Sequence, residues 1–146
     1  MNKVLLAAGL MTLMGTTAMA QQIGVSVARF DDNGLTVMRN GMTAHEATLD
    51  GVSLQMEDAT DDVAKQLDQI NNFIASGVDA IIVNAVDTNA TEAMSNAAAA
   101  AGVPLVYVNR QPVNMATLPD GQAFVASNEI ESGTLAAFQM CNQLRA

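Results

Sequence analysis

The sequence predicts an α/β domain: an open parallel sheet with helices on both faces. Three observations carry this. Strand-like and helix-like stretches alternate from residue 22 to the end with short connections, the pattern of consecutive βαβ units with right-handed crossovers. The strand-like stretches are brief and β-branched, with few polar positions, as when both faces of a sheet are covered. The helix-like stretches are amphipathic and are punctuated by Asp, Asn and Gly at their ends.

The first strand is read in QIGVSVARFDDN, residues 22–33, where Ile23, Val25 and Val27 give way to the polar run Arg29 to Asn33. A helix is expected over 35–49, with Leu35, Met38 and Met42 on one stripe, capped by Asp31, Asp32 or Asn33 and closed by Asp50-Gly51. Val52 to Met56 alternates apolar and polar residues, which predicts a strand near a sheet edge. The clearest helix covers 61–76, with Val63, Leu67, Ile70, Phe73 and Ile74 on one stripe, Thr60 or Asp61 as cap and Gly77 at the left-handed stop. Residues 79–83 read as the most buried strand, ending at Asn84. Asn89 and Glu92 are spaced as a capping box for an alanine-rich helix that stops at Gly102. A fourth strand, 105–108, ends in Asn109-Arg110; after a loop with Pro112 and Pro119 comes a short fifth strand, 123–126. Asn128 and Glu131 space a second capping box, followed by a helix over 132–144.

Residues 1–20 carry one charge (Lys3), an apolar run over 4–14 and the ending Ala18-Met19-Ala20. This is the pattern of a cleaved secretory signal peptide, and the run is shorter than the roughly 20 residues a membrane span needs. Removal of 20 of the 146 residues leaves 126, enough for one domain. The net charge of −9 becomes −10 once Lys3 is gone. An acidic chain without a basic cluster is a poor ligand for nucleic acid or an anionic membrane. One cysteine, Cys141, permits no internal disulfide, and one histidine, His45, leaves no zinc set.

Catalytic signatures are missing. VARFDDNG is not a dinucleotide loop, and no Walker, GxSxG or HExxH pattern occurs. A phosphoreceiver reading of Asp31-Asp32 fails because the third strand ends in Asn84 where an acceptor aspartate belongs. What remains is a set of polar residues at strand ends: Asp32, Asn84, Asn109 and Arg110. Ligands of open α/β sheets sit at the carboxyl ends of strands. A carboxylate, amides and a guanidinium together match hydroxyls, which both donate and accept. Helix capping by Asp32 and Asn33 and turn closure by Asn84 are the competing structural roles.

The segments IGVSVARFDDN, QLDQINNFIASGVDAIIVNAVD, GVPLVYVNRQPVN and FVASNEIESG resemble, in order and spacing, the periplasmic sugar-binding proteins of ABC importers, of the galactose, ribose and inositol type. The resemblance implies the two-lobed type I periplasmic binding fold, with residues 21–127 as the N-terminal lobe. It implies that 128–146 form a hinge crossing and the first helix of a second lobe whose remainder lies outside this sequence. It implies a periplasmic location, a monosaccharide or cyclic polyol (inositol, ribose or galactose class) bound without chemistry, ABC permease subunits and a chemoreceptor as partners, and no cofactor. It places Phe30, Asp32, Asn33, Asn84, Asn109 and Arg110 at the ligand. The family stacks a sugar on an aromatic two residues after the aspartate; Gly34 stands there, and Phe30 is the nearby aromatic that could replace it. One lobe is expected to bind weakly, because closure of the second normally surrounds the ligand. A small exported α/β enzyme acting on carbohydrate through Asp31 or Asp32 is the alternative. A sugar-responsive repressor would need a basic helix-turn-helix where the leader stands.

Overall fold

The computed structural model describes residues 20–145; the signal peptide expected over 1–20 therefore lies, except for Ala20, outside the described residues. Five strands form one parallel sheet: β1 (Gln21–Val27), β2 (Val52–Asp58), β3 (Ala80–Asn84), β4 (Leu105–Val108) and β5 (Gln122–Val125). Their order is β2-β1-β3-β4-β5. The helices are α1 (Asn33–Glu46), α2 (Val63–Ser76), α3 (Thr91–Ala101) and α4 (Glu129–Arg145). Every pairing is parallel, with Val25 opposite both Met56 and Ile82. The alternating wet and dry positions of β2 do mark an edge strand.

The two faces carry different cores. On one, Ile70 and Phe73 of α2 and Met94 and Ala98 of α3 pack on Ile81, Val83, Leu105 and Tyr107, all buried. Gly24 makes room there, because a Cβ on it would lie 2.5–2.8 Å from the Phe73 ring. On the other face α1 packs alone, bringing Leu35, Met38 and Met42 against Val25, Val27, Leu54 and Met56. Among the described residues no helix is long and apolar enough to cross a membrane.

The element ends depart from expectation in instructive ways. α1 stops at Glu46, before Leu49, and Ala47 to Asp50 form turns. α2 is capped by Asp62, whose carboxylate accepts from Lys65 N–H at 2.9 Å, and not by Thr60 or Asp61. Those two residues instead turn the chain with φ of 52° and 55°. Gly77, with φ 77°, closes α2 as expected. The Asn89 capping box does not form: Asp87 caps a 3-10 turn, Thr88–Ala90, and α3 starts behind it with Glu92 in its first turn. At α4, Asn128 accepts from Glu131 N–H at 3.2 Å, the forward half of the predicted box. α4 lies away from both cores; Ile130, Leu135, Phe138, Met140 and Leu144 are exposed, as is Cys141.

Candidate functional site

The strand order reverses direction between β1 and β3, and the loops leaving β1 and β4 face each other at the carboxyl edge. In sheets of this order the reversal opens a crevice that receives ligands. A cavity of about 350 Å³ lies there, lined by Asp32, Gly34, Leu35, Met38, Asn109 and Arg110. That volume is at the lower end of small-molecule sites.

Asp32 has a capping role and a place in the cleft. Its Oδ1 accepts from Leu35 N–H at 2.8 Å, leaving a second oxygen. The chain passes tightly here: a Cβ on Gly34 would stand 3.2 Å from Asp32 Oδ1. The neighbouring Asp31 is turned away. It pairs with Arg29 at 2.7 Å, and Arg29 also reaches Asp61 at 3.0 Å, joining the β1 loop to the turn before α2. The Arg29 hydrogen bond holds the Asp31 carboxyl below the usual range.

Asn109 is backbone-strained. Its φ is 68°, and Arg110 N–H closes onto Val108 C=O at 2.8 Å across it, a three-residue γ-turn of the uncommon positive-φ kind. Such a conformation costs on the order of 1–3 kcal/mol and persists where the surroundings enforce it. Here Asn109 N–H donates to Val125 C=O at 3.0 Å, and its Oδ1 accepts from Asn84 Nδ2 at 3.2 Å. The turn sends the Arg110 side chain back over the β3 loop. Its Nη1 donates to Ala85 C=O and Val86 C=O, both at 2.8 Å, which fixes the plane of the guanidinium at the cleft.

Of the six residues proposed from sequence, the structure brings Asp32, Asn109 and Arg110 together. Asn84 does not line the cleft. It is fully buried, and its amide is spent on Ala28 N–H (3.3 Å), Val108 C=O (3.3 Å) and Asn109 Oδ1, tying the ends of β1, β3 and β4. Asn33 opens α1, exposed and outside the cleft lining. Phe30 packs into the α1-side core with Arg39 stacked 3.9 Å from its ring centroid. Arg39 also donates to Phe30 C=O at 2.8 Å. The ring is half-buried against that core and is not part of the cleft lining, whose apolar part comes from Leu35 and Met38, which sequence reasoning assigned only to a core stripe. Helical periodicity shows that such a stripe is buried; it does not show that its first turn overhangs a strand end. Among the described residues, no group of three or more His, Cys, Asp or Glu is arranged to hold a metal.

The fold and cleft define an open parallel α/β sheet with a crevice at its switch point. The chain belongs to the periplasmic binding protein domain family, which matches residues 23–146. It is 58% identical over 144 residues to a Rhizobium meliloti protein named for rhizopine binding, covering 99% of this chain and 47% of that protein. An ABC transporter solute binding protein from Bacillus halodurans C-125, solved with bound myo-inositol, is 34% identical with a TM-score of 0.70, over 77% of this chain and 38% of that one. The periplasmic binding component of an arabinose ABC transporter from Shewanella sp. ANA-3 superposes with a TM-score of 0.76 at 26% identity, over 86% and 41%. The chain thus spans 38–47% of the length of these relatives.

Proposed function

We propose that this chain is the N-terminal lobe, 21–127, and first hinge crossing, 128–146, of a periplasmic solute-binding protein that delivers a cyclic polyol of the inositol or rhizopine class to an ABC permease. The observation that carries this is the convergence of Asp32, Asn109 and Arg110 on one cleft at the switch point. Asp32 supplies a carboxylate acceptor, Arg110 charged donors in a fixed plane, and Asn109 an amide. Adjacent ring hydroxyls present donor and acceptor side by side, which suits that set. Leu35 and Met38 supply an apolar surface for the ring. The ligands named for two relatives, rhizopine and myo-inositol, favour the polyol over a pyranose. The carbohydrate-enzyme alternative draws no support: Asp31 is held by Arg29 outside the cleft, and Asp32 has no neighbouring base there.

The test is a titration of the 15N-labelled protein with myo-inositol, ribose and galactose. Amide shifts at Asp32, Asn109 and Arg110 with myo-inositol are expected, at millimolar affinity because one lobe leaves the ligand open to water. Arg110→Ala is expected to weaken binding at least tenfold, about 1.4 kcal/mol. No shift with any of the three ligands would overturn the reading.

A further inference from the structure

Two glutamines of α2, Gln66 and Gln69, are buried within the sheet-facing side of the helix. Buried amides demand partners, and those they choose fix whatever backbone they hold. Gln69 turns to Ser26, accepting from its hydroxyl at 2.7 Å, and donates to Asp58 C=O at 2.9 Å. Gln66 reaches further. Its Nε2 donates to Asn84 C=O at 3.0 Å and to Ser26 Oγ at 3.0 Å, while its Oε1 accepts from Val86 N–H at 2.8 Å. One side chain therefore clamps the backbone of residues 84–86 from both sides of Ala85.

That same backbone is the seat of Arg110: the carbonyls of Ala85 and Val86 receive its Nη1. Val86 is gripped by Gln66 through its N–H and by Arg110 through its C=O. We infer that Gln66, on the far face of the sheet from α1, is a positioning residue for the cleft: it sets the β3 loop carbonyls that hold the Arg110 guanidinium. Gln66 touches nothing in the cleft lining. The loop it holds has no strand ladder of its own, since β3 ends at Asn84, so the side-chain clamp does what strand pairing does for the residues before it. This rests on the ligand reading above for its functional consequence, but not for its structural one.

The experiment reads both consequences in the 146-residue protein. In the unsubstituted chain, the Arg110 Nη1 protons, bound by two carbonyls, are expected to give resolved, slowly exchanging guanidinium signals in 15N spectra at low temperature. Gln66→Met keeps the side-chain length and removes both hydrogen-bonding functions. In folded Gln66→Met those signals should collapse to the averaged signal of a free guanidinium. Myo-inositol affinity should fall about tenfold, and Gln66→Met combined with Arg110→Ala should bind no more weakly than Arg110→Ala alone. Gln66→Glu, which retains an acceptor for Val86 N–H, should recover part of the guanidinium signal and serves as the test where Gln66→Met does not fold. Ser95→Ala removes an equally buried hydroxyl of α3 that is paired with Tyr107 of β4 and should lower stability without moving the Arg110 signals. Unchanged Arg110 signals in the Gln66 variants, or equal loss in Ser95→Ala, would overturn the inference. A chain that shows the guanidinium response yet binds no polyol would uphold Gln66 as a clamp on Arg110 and refute the ligand reading alone.

Discussion

The two faces of this sheet are built to different standards of closure. The α2–α3 face is sealed: Ile81, Val83, Leu105 and Tyr107 are completely buried, and the Tyr107 hydroxyl is partnered by Ser95 and by Thr91 C=O at 2.7 Å. The α1 face is sealed only over β1, whose Val25 and Val27 are completely buried, while Leu54 and Met56 of β2 stay half-buried. Beyond these two strands Ile82, Val106 and Val108 are half-buried and Val125 is 61% exposed. Neighbouring residues of one strand thus live in different environments, and the contrast separates what holds the lobe together from what the lobe leaves open. The cleft opens on the incomplete side, between α1 and the end of β4.

The comparison can be broken most directly at Phe73. Truncation by Phe73→Ala removes the ring seated on Gly24 and should cost about 3–5 kcal/mol, read as a fall in the denaturant midpoint at constant slope. A loss below about 1 kcal/mol would mean that the α2 face is not the main core. A finer contrast comes from one strand. Ile81→Ala faces α2 and α3 and should cost about 2–5 kcal/mol, whereas Ile82→Ala, on the partly covered face, should cost about half as much or less. Equal losses would erase the distinction between the faces. The smallest effect belongs to the exposed Arg29–Asp31–Asp61 bridge. The folded-state pKa of Asp31 is depressed, so its contribution is present above the unfolded value near 4 and fades as pH falls through the folded value. Asp31→Asn should therefore flatten the acid limb of the stability profile while leaving the neutral plateau nearly unchanged, since exposed pairs contribute little. A plateau that fell as far as in Ile82→Ala would show that the loop pairing, and not the apolar face, sustains this side.

The fold class was legible because each level of the sequence agreed with the next. Apolar runs, capping residues and stop glycines all pointed to βαβ units, and the five strands and four helices stand where they were expected to within a few residues. The caps were less legible for a physical reason: in runs such as Thr60-Asp61-Asp62 or Asp87-Thr88-Asn89, several side chains are equally able to cap. Tertiary packing then selects the one whose geometry suits, Asp62 and Asp87. In the site, residue type and strand-end position were enough to bring out Asp32, Asn109 and Arg110. They could not separate an amide aimed outward from one turned inward. Asn84 and Asn109 end adjacent strands; the positive φ of Asn109 puts one at the cleft, while the other is folded into the sheet as its tie. Phe30 lies outside the cleft lining because its ring stacks with Arg39, nine residues on, a contact that periodicity alone does not reveal.

The position of β1 inside the sheet, between β2 and β3, has a consequence in time. The first of the described strands is flanked on both edges in the finished sheet, by β2 and, through the Ile23–Ala80 and Val27–Asn84 register, by β3. Until the chain has been made past Asn84, β1 can have at most one neighbour, and its apolar residues Ile23, Val25 and Val27 border an open edge. An unpaired edge of that kind recruits other chains. The growing polypeptide is therefore most vulnerable to misassociation before its third strand emerges, and a ribosome-stalled series should lose that tendency once β3 can dock.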